Sequence, residues 1–135
     1  FDFLTKLKLS NGKRLEILGD GKQKKSYLYI DDCIDALLLG LNEFESRLEI
    51  FNVGSDDQVD SDTIAQIIID ELGLLPEIIH SSSTKDGRGW VGDIKDMWLS
   101  TDKLKKIGWK IRHSSKETVS LTVKNIISCN YGEKI

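Results

Sequence analysis

Apolar residues recur along this chain with two periods, and the switches between them mark its elements. Phe3, Leu4 and Leu7 share one face at helical spacing, which predicts a helix over residues 1–10, ended by Asn11-Gly12, two residues that tolerate left-handed backbone. No capping residue precedes it, so this helix reads as one cut from a longer chain. Leu15-Glu16-Ile17-Leu18 is predicted as a short strand. Gly19, Asp20 and Gly21 form a turn, and Ser26 to Ile30 are expected to make a second strand. Asp31 and Asp32 then stand as N-cap candidates. They precede a helix expected to reach about Phe44 with Ile34, Leu37, Leu38 and Leu41 buried. Ser46 and Arg47 begin a loop.

Leu48 to Val53 is rich in β-favouring residues and is expected to be a strand stopped by Gly54, parallel to the first because a helix intervenes. Ser61 or Asp62 can cap the next helix, whose Ile64, Ile67, Ile68 and Leu72 lie at helical spacing and which Gly73 closes. Pro76 holds Leu75 extended and so sets up Glu77 to His80 as a strand. Residues 81–96, with Ser81 to Ser83 and three glycines, read as a long loop of the kind that carries binding roles. Ser100 or Thr101 caps a short helix from Lys103 to Ile107, ended by Gly108. Ser114-Ser115-Lys116-Glu117 offers a capping box for a last helix with Val119, Leu121, Val123, Ile126 and Ile127 as its apolar contacts. Residues 130–135 are expected to fray.

Composition narrows the class. At 135 residues the chain makes one domain, and 39% hydrophobic with 30% charged residues is ordinary for a globular protein. No tract approaches the roughly 18 to 20 apolar residues of a membrane span and no N-terminal signal pattern is present, so the expectation is a cytoplasmic protein without a membrane partner. With 19 basic and 22 acidic side chains the net charge is −3, which excludes a general attraction to nucleic acid. Lys22, Lys24 and Lys25 are a local exception, but no aromatic residue interleaves them. Cys33 and Cys129 are far apart in sequence and read as reduced core thiols.

The order Gly19-Asp20-Gly21-x-Gln23-x-Lys25-Ser26-Tyr27-x-Tyr29-Ile30-Asp31-Asp32 resembles the entry to the substrate-binding part of the extended short-chain dehydrogenase/reductases, the NAD-dependent epimerases and dehydratases of nucleotide sugars. Ile50 to Ser55, Arg88 to Asp93 and Leu104 to Trp109 match in the same order, and the four stretches run over nearly the whole chain. The resemblance implies an α/β fold, a small substrate-binding domain of short strands with flanking helices, its Rossmann half absent. Residues 1–135 would be a single C-terminal nucleotide-sugar-binding domain of a longer enzyme, most simply a UDP-sugar 4-epimerase. A dTDP- or GDP-sugar dehydratase or reductase and a free-standing interaction module are the alternatives.

That family works with a Gly-x-x-Gly-x-x-Gly dinucleotide turn and a Tyr followed four residues later by Lys. Neither is in this sequence: four residues after Tyr27, Tyr29 and Tyr131 come Asp31, Cys33 and Ile135. No catalytic residue, cofactor-binding residue or metal ligand is therefore assigned. NAD is expected in the intact enzyme, held by the N-terminal Rossmann half, and the isolated chain is expected to be monomeric and without turnover.

The remaining chemistry is recognition of a UDP-sugar. By the resemblance, Lys25 stands where the family carries an arginine for the diphosphate, keeping the charge without the bidentate fork. Arg88 is assigned to phosphate and Asp93 to the ribose hydroxyls. Arg88 lies five residues before Asp93, where the family's spacing is three and this chain has Trp90. The plainer readings are that Arg88 ties down its loop through carbonyls, that Asp93 caps the residues after it, and that Lys22 and Lys24 are solvated charges. Trp90, Trp98 and Trp109 are expected to pack, Trp109 in a closing Leu-Gly-Trp-like motif. Asn52 is read as satisfying backbone groups of the adjoining turn, and His80 and His113 are given no role.

Overall fold

The computed structural model describes residues 1–42, 48–81 and 84–129. Helix α1 (Asp2–Leu9) buries Leu4 and Leu7, and the left-handed Asn11 (φ 52°) and Gly12 (φ 71°) end it as the sequence predicts. Strand β1 (Arg14–Leu18) follows, with Leu15 and Ile17 turned inward at every second position. It runs parallel to β4 (Glu77–Ser81), register Arg14 to Glu77 and Leu18 to Ser81, so Pro76 does set up a strand where expected.

Between these strands lie α2 (Ile30–Asn42), β3 (Val59–Asp60) and α3 (Ser61–Leu72). Asp60, one residue before the predicted caps, closes α3 by accepting from Thr63 N at 2.7 Å, and Gly73 (φ 63°) ends it. Asp62 is thereby freed for other partners. Helix α4 (Asp102–Lys106) is short. Thr101 stands at its N-cap position but donates to Asp56 Oδ1 at 3.2 Å instead of capping, and Ser100 Oγ accepts weakly from Asp102 N at 3.4 Å. Helix α5 (Ser115–Ser128) opens on the predicted capping box, with Ser114 and Glu117 each satisfying the other's backbone N–H.

Two apolar clusters result. The larger joins Leu7, Leu15, Ile17, Val59, Ala65, Ile68, Ile69, Val119 and Val123, burying α1, α3 and α5 against β1 and β3. The smaller is Ala36, Leu104 and Trp109. Trp109 is buried as expected, and its indole N–H donates to Asp32 O at 3.2 Å.

Several expectations fail for one reason. Ser26 to Ile30 is not a strand: β2 is only Lys24–Lys25, and Ile30 already belongs to α2. Asp31 and Asp32 therefore lie inside the first helical turn and do not cap it. The stripe on α2 faces outward. Ile34, Leu37, Leu38 and Leu41 are 45–69% exposed, and only Asp32 and Ala36 are buried. Residues 48–53 form no strand, with Leu48 and Ile50 exposed. A β-ladder needs a neighbour and an apolar helix face needs a cover, and the described residues supply neither here. The predicted end of α2 at Phe44 and the loop start at Ser46 lie outside the described residues, as do Ser82, Ser83 and residues 130–135. Cys33 is half-buried and Cys129 exposed, so they are free thiols but not a core pair. Among the described residues no helix is long and apolar enough to cross a membrane.

Candidate functional site

The three residues singled out in the sequence meet at one end of a second small sheet. Its order is β3-β2-β5, with β5 at Asp96–Met97, antiparallel between β2 and β3 and parallel between β2 and β5. Gly19 (φ 89°) and Gly21 (φ 75°) reverse the chain between β1 and β2. The left-handed backbone suits glycine, and at Gly19 a Cβ would overlap the Gln23 amide and sit 2.8 Å from Gly87 O. Residues 84–95 fold onto this turn: Asp20 N donates to Gly87 O at 2.7 Å and Lys24 N to Lys95 O at 2.7 Å.

Asp93 is the centre of the cluster. Its Oδ1 lies 3.4 Å from Lys25 Nζ and its Oδ2 accepts from Gln23 Nε2 at 3.3 Å. The Asp93 side chain is 11% exposed and that of Lys25 39%, so carboxylate and ammonium are paired at the rim of the fold with the cation outermost. Asp93 N donates to Trp90 O, not to a helix end, and its carboxylate caps nothing that follows.

Arg88 comes to the same place by its own loop. Its Nη1 donates to Val91 O at 3.0 Å and to Asp93 O at 3.5 Å, and its Nε pairs with Asp86 at 2.8 Å. Arg88 thus holds loop carbonyls, the plainer of its two readings, while remaining one-third exposed within the cluster. The Thr84 hydroxyl and the Arg88 guanidinium hold the Asp86 carboxyl at about 2, so that ion pair is charged throughout the physiological range. The fold brings Lys25, Arg88 and Asp93 together. It leaves Lys22 outside, on Asp62 at 2.8 Å.

Gln23 joins the same cluster, a place that sequence reasoning did not assign to it. It is 5% exposed, bonds Leu18 O at 3.2 Å as well as Asp93, and leaves Oε1 without a partner among the described residues. The available signal was parity: residues 23 and 25 project to the same face of an extended segment. Two histidines given no role also have partners. His80 Nε2 lies 2.7 Å from Asp62, and His113 Nδ1 lies 2.9 Å from Asp32. Trp90 and Trp98, expected to pack, are 61% and 58% exposed. Asn52 bonds Ser100 O at 3.1 Å, across the chain and not within its own turn.

Residues 3–54 match the NAD dependent epimerase/dehydratase family. A solved UDP-galactose 4-epimerase is 35% identical and superposes with a TM-score of 0.79, covering 96% of this chain and 40% of its own. The chain belongs to the NAD-dependent epimerase/dehydratase family. A probable GDP-L-fucose synthase of Oryza sativa subsp. japonica is 27% identical over 90% of this chain and 36% of its own length. A putative UDP-glucose 4-epimerase of Methanocaldococcus jannaschii is 28% identical over 79% and 32%. The chain spans about a third of the length of these curated relatives.

Among solved family members, a dTDP-glucose 4,6-dehydratase from Bacillus anthracis was crystallised with NAD and a UDP-glucose 4-epimerase from Thermotoga maritima with UDP-glucose. Gly19, Gly21 and Gly89 do not fit a dinucleotide. Gly19 and Gly21 lead from strand to strand and not into a helix N-terminus, and the Cβ spaces at Gly19 and Gly89 are filled by Gln23 and Leu18 of the chain itself.

Proposed function

We propose that this chain is the C-terminal, substrate-recognising part of an NAD-dependent nucleotide-sugar epimerase or dehydratase, most simply a UDP-sugar 4-epimerase. The observation that carries the reading is the meeting of Lys25, Arg88 and Asp93 from β2 and the 84–95 loop, beside the buried Gln23. A nucleoside diphosphate presents an anion and a vicinal diol. Lys25 and Arg88 supply charge for the first, and Asp93 is an acceptor pair for the second. The Lys25–Asp93 pair is then the resting state: an incoming diphosphate competes for the ammonium and leaves the carboxylate to the ribose. Gln23 holds Oδ2 of Asp93 through that exchange, so the carboxylate is aimed before the ligand arrives.

The chain contributes recognition and no catalytic step, since its sequence holds neither the Tyr/Lys pair nor the dinucleotide turn. NAD belongs, in this reading, to an N-terminal Rossmann half. The outward face of α2 and the unladdered segment 48–53 support it, because together they offer a helix stripe and a β-favouring segment that a larger sheet would cover. A GDP-sugar enzyme is the second reading, favoured by the similarity to GDP-L-fucose synthases.

The test is a titration of UDP and GDP against the full-length protein. Loss of one charge-assisted phosphate contact is worth about 1.5–3 kcal/mol, roughly ten- to a hundredfold in affinity. Lys25→Ala and Arg88→Ala each weaken the preferred nucleotide by that amount, Lys25→Arg holds or tightens it, and Lys22→Ala changes little. Equal losses from Lys22→Ala and Lys25→Ala would mean diffuse charge and no site.

A further inference from the structure

Trp90 stands apart from the other large apolar side chains near the site because it is both exposed and fixed. Its indole is 61% exposed, yet the six-membered ring fills the space that a Cβ at Gly92 would need. The backbone beneath is tied twice, by Asp93 N donating to Trp90 O at 3.1 Å and by Arg88 Nη1 donating to Val91 O at 3.0 Å. A large flat ring held this way, with an open surface, is costly to leave in water and suited to stacking. Trp98 is comparably exposed but lies beyond β5, past the turn that carries Asp93.

We infer that Trp90 is the base platform of the nucleotide site: the ring of the nucleobase lies on the indole. This rests on the nucleoside-diphosphate reading above and extends it. The order of groups along such a ligand is diphosphate, ribose, base. Arg88, Trp90 and Asp93 lie on one short loop, and Asp93 meets Lys25 at 3.4 Å. Only Val91 and Gly92 separate Trp90 from Asp93 along the loop, so a ribose held by the carboxylate carries its base toward the indole. Stacking is sequence-tolerant, since every base has a π-face, so Trp90 supplies affinity for the nucleoside without choosing between uracil and guanine.

The experiment measures binding of UDP or GDP, whichever the full-length wild type prefers, beside inorganic diphosphate, in Trp90→Ala, Trp90→Phe and Gly92→Ala. Trp90→Ala is expected to weaken the nucleotide about tenfold or more and leave inorganic diphosphate unchanged. Trp90→Phe should recover most of the loss. Gly92→Ala, which pushes the indole off its seat, should resemble Trp90→Ala. Nucleotide binding should also quench indole fluorescence less in Trp90→Phe than in wild type. Equal losses for both ligands would make Trp90 a support of the phosphate loop and overturn the inference, as would no loss for either. A wild type that binds no nucleoside diphosphate defeats the underlying nucleotide-sugar reading itself. If Lys25→Ala weakens both ligands while Trp90→Ala weakens neither, only the stacking assignment falls.

Discussion

Asp32 and His113 are 81 residues apart in sequence and 2.9 Å apart in the fold. The Asp32 side chain is wholly buried, and its other oxygen accepts from Arg112 N at 3.3 Å and Nε at 2.9 Å. Burial alone would raise this carboxyl, but the bonds from Arg112 and His113 outweigh it and hold it below its ordinary range. One carboxylate thus pins the start of α2 to the chain between α4 and α5, and Trp109 bonds the same residue's carbonyl.

Removing that carboxylate leaves three donors without their acceptor. Asp32→Ala is expected to destabilise the protein by about 3 kcal/mol, near the lower end for breaking a buried ion pair because Arg112 and His113 can still reach solvent. Denaturant unfolding of the full-length protein measures it. A loss under about 0.5 kcal/mol would show that the pin is redundant.

The pH dependence has a definite sign. Asp32, Asp57, Asp60 and Asp62 all titrate below the ordinary value of 3.8 in the fold. A group depressed in the native state adds stability that is present above its unfolded value and lost as pH falls through the native one. The stability contributed by these carboxylates is therefore complete above about pH 4 and declines below it. Unfolding midpoints at a series of acid pH values should trace this, with a shallower decline in Asp32→Asn. An identical slope in that variant would remove Asp32 from the account.

Gly19 tests the junction beneath the site. Gly19→Ala places a side chain at φ 89° and into the Gln23 amide. Backbone strain of this kind costs about 1–3 kcal/mol, and the displaced Gln23 no longer holds Asp93. Both the melting temperature and nucleotide affinity should fall. Normal affinity in a destabilised variant would mean that Gln23 does not aim Asp93.

The stripe on α2 separates a covered surface from a free one. Leu37 is 58% exposed in this chain, so Leu37→Ser should change little unless something packs on it. If a Rossmann half covers the stripe, the same substitution costs the full-length enzyme about 2 kcal/mol or more. Calorimetric melting of that enzyme decides, and an unchanged melting temperature would leave the stripe solvated.

Local chemistry alone determined a good part of this protein. The Asn11-Gly12 and Gly73 helix ends and the Ser114–Glu117 capping box each depend on neighbours a few residues away, and each was legible. The candidate cluster was legible in part: Lys25, Arg88 and Asp93 carry its charges, and charge types can be read from residue names. Gln23 was not, because an amide joins such a cluster only through the burial and the partner that folding supplies. Nor was the direction of the α2 stripe. Helical spacing says that Ile34, Leu37, Leu38 and Leu41 share a face, but which face is buried depends on what lies opposite, and here the carboxylate of Asp32 turned inward while the leucines turned out. The same holds for residues 48–53, whose β-favouring side chains specify a strand only where another strand offers its N–H and C=O groups. Tertiary structure decided these points because burial and pairing belong to pairs of segments, and no single stretch of sequence contains both members.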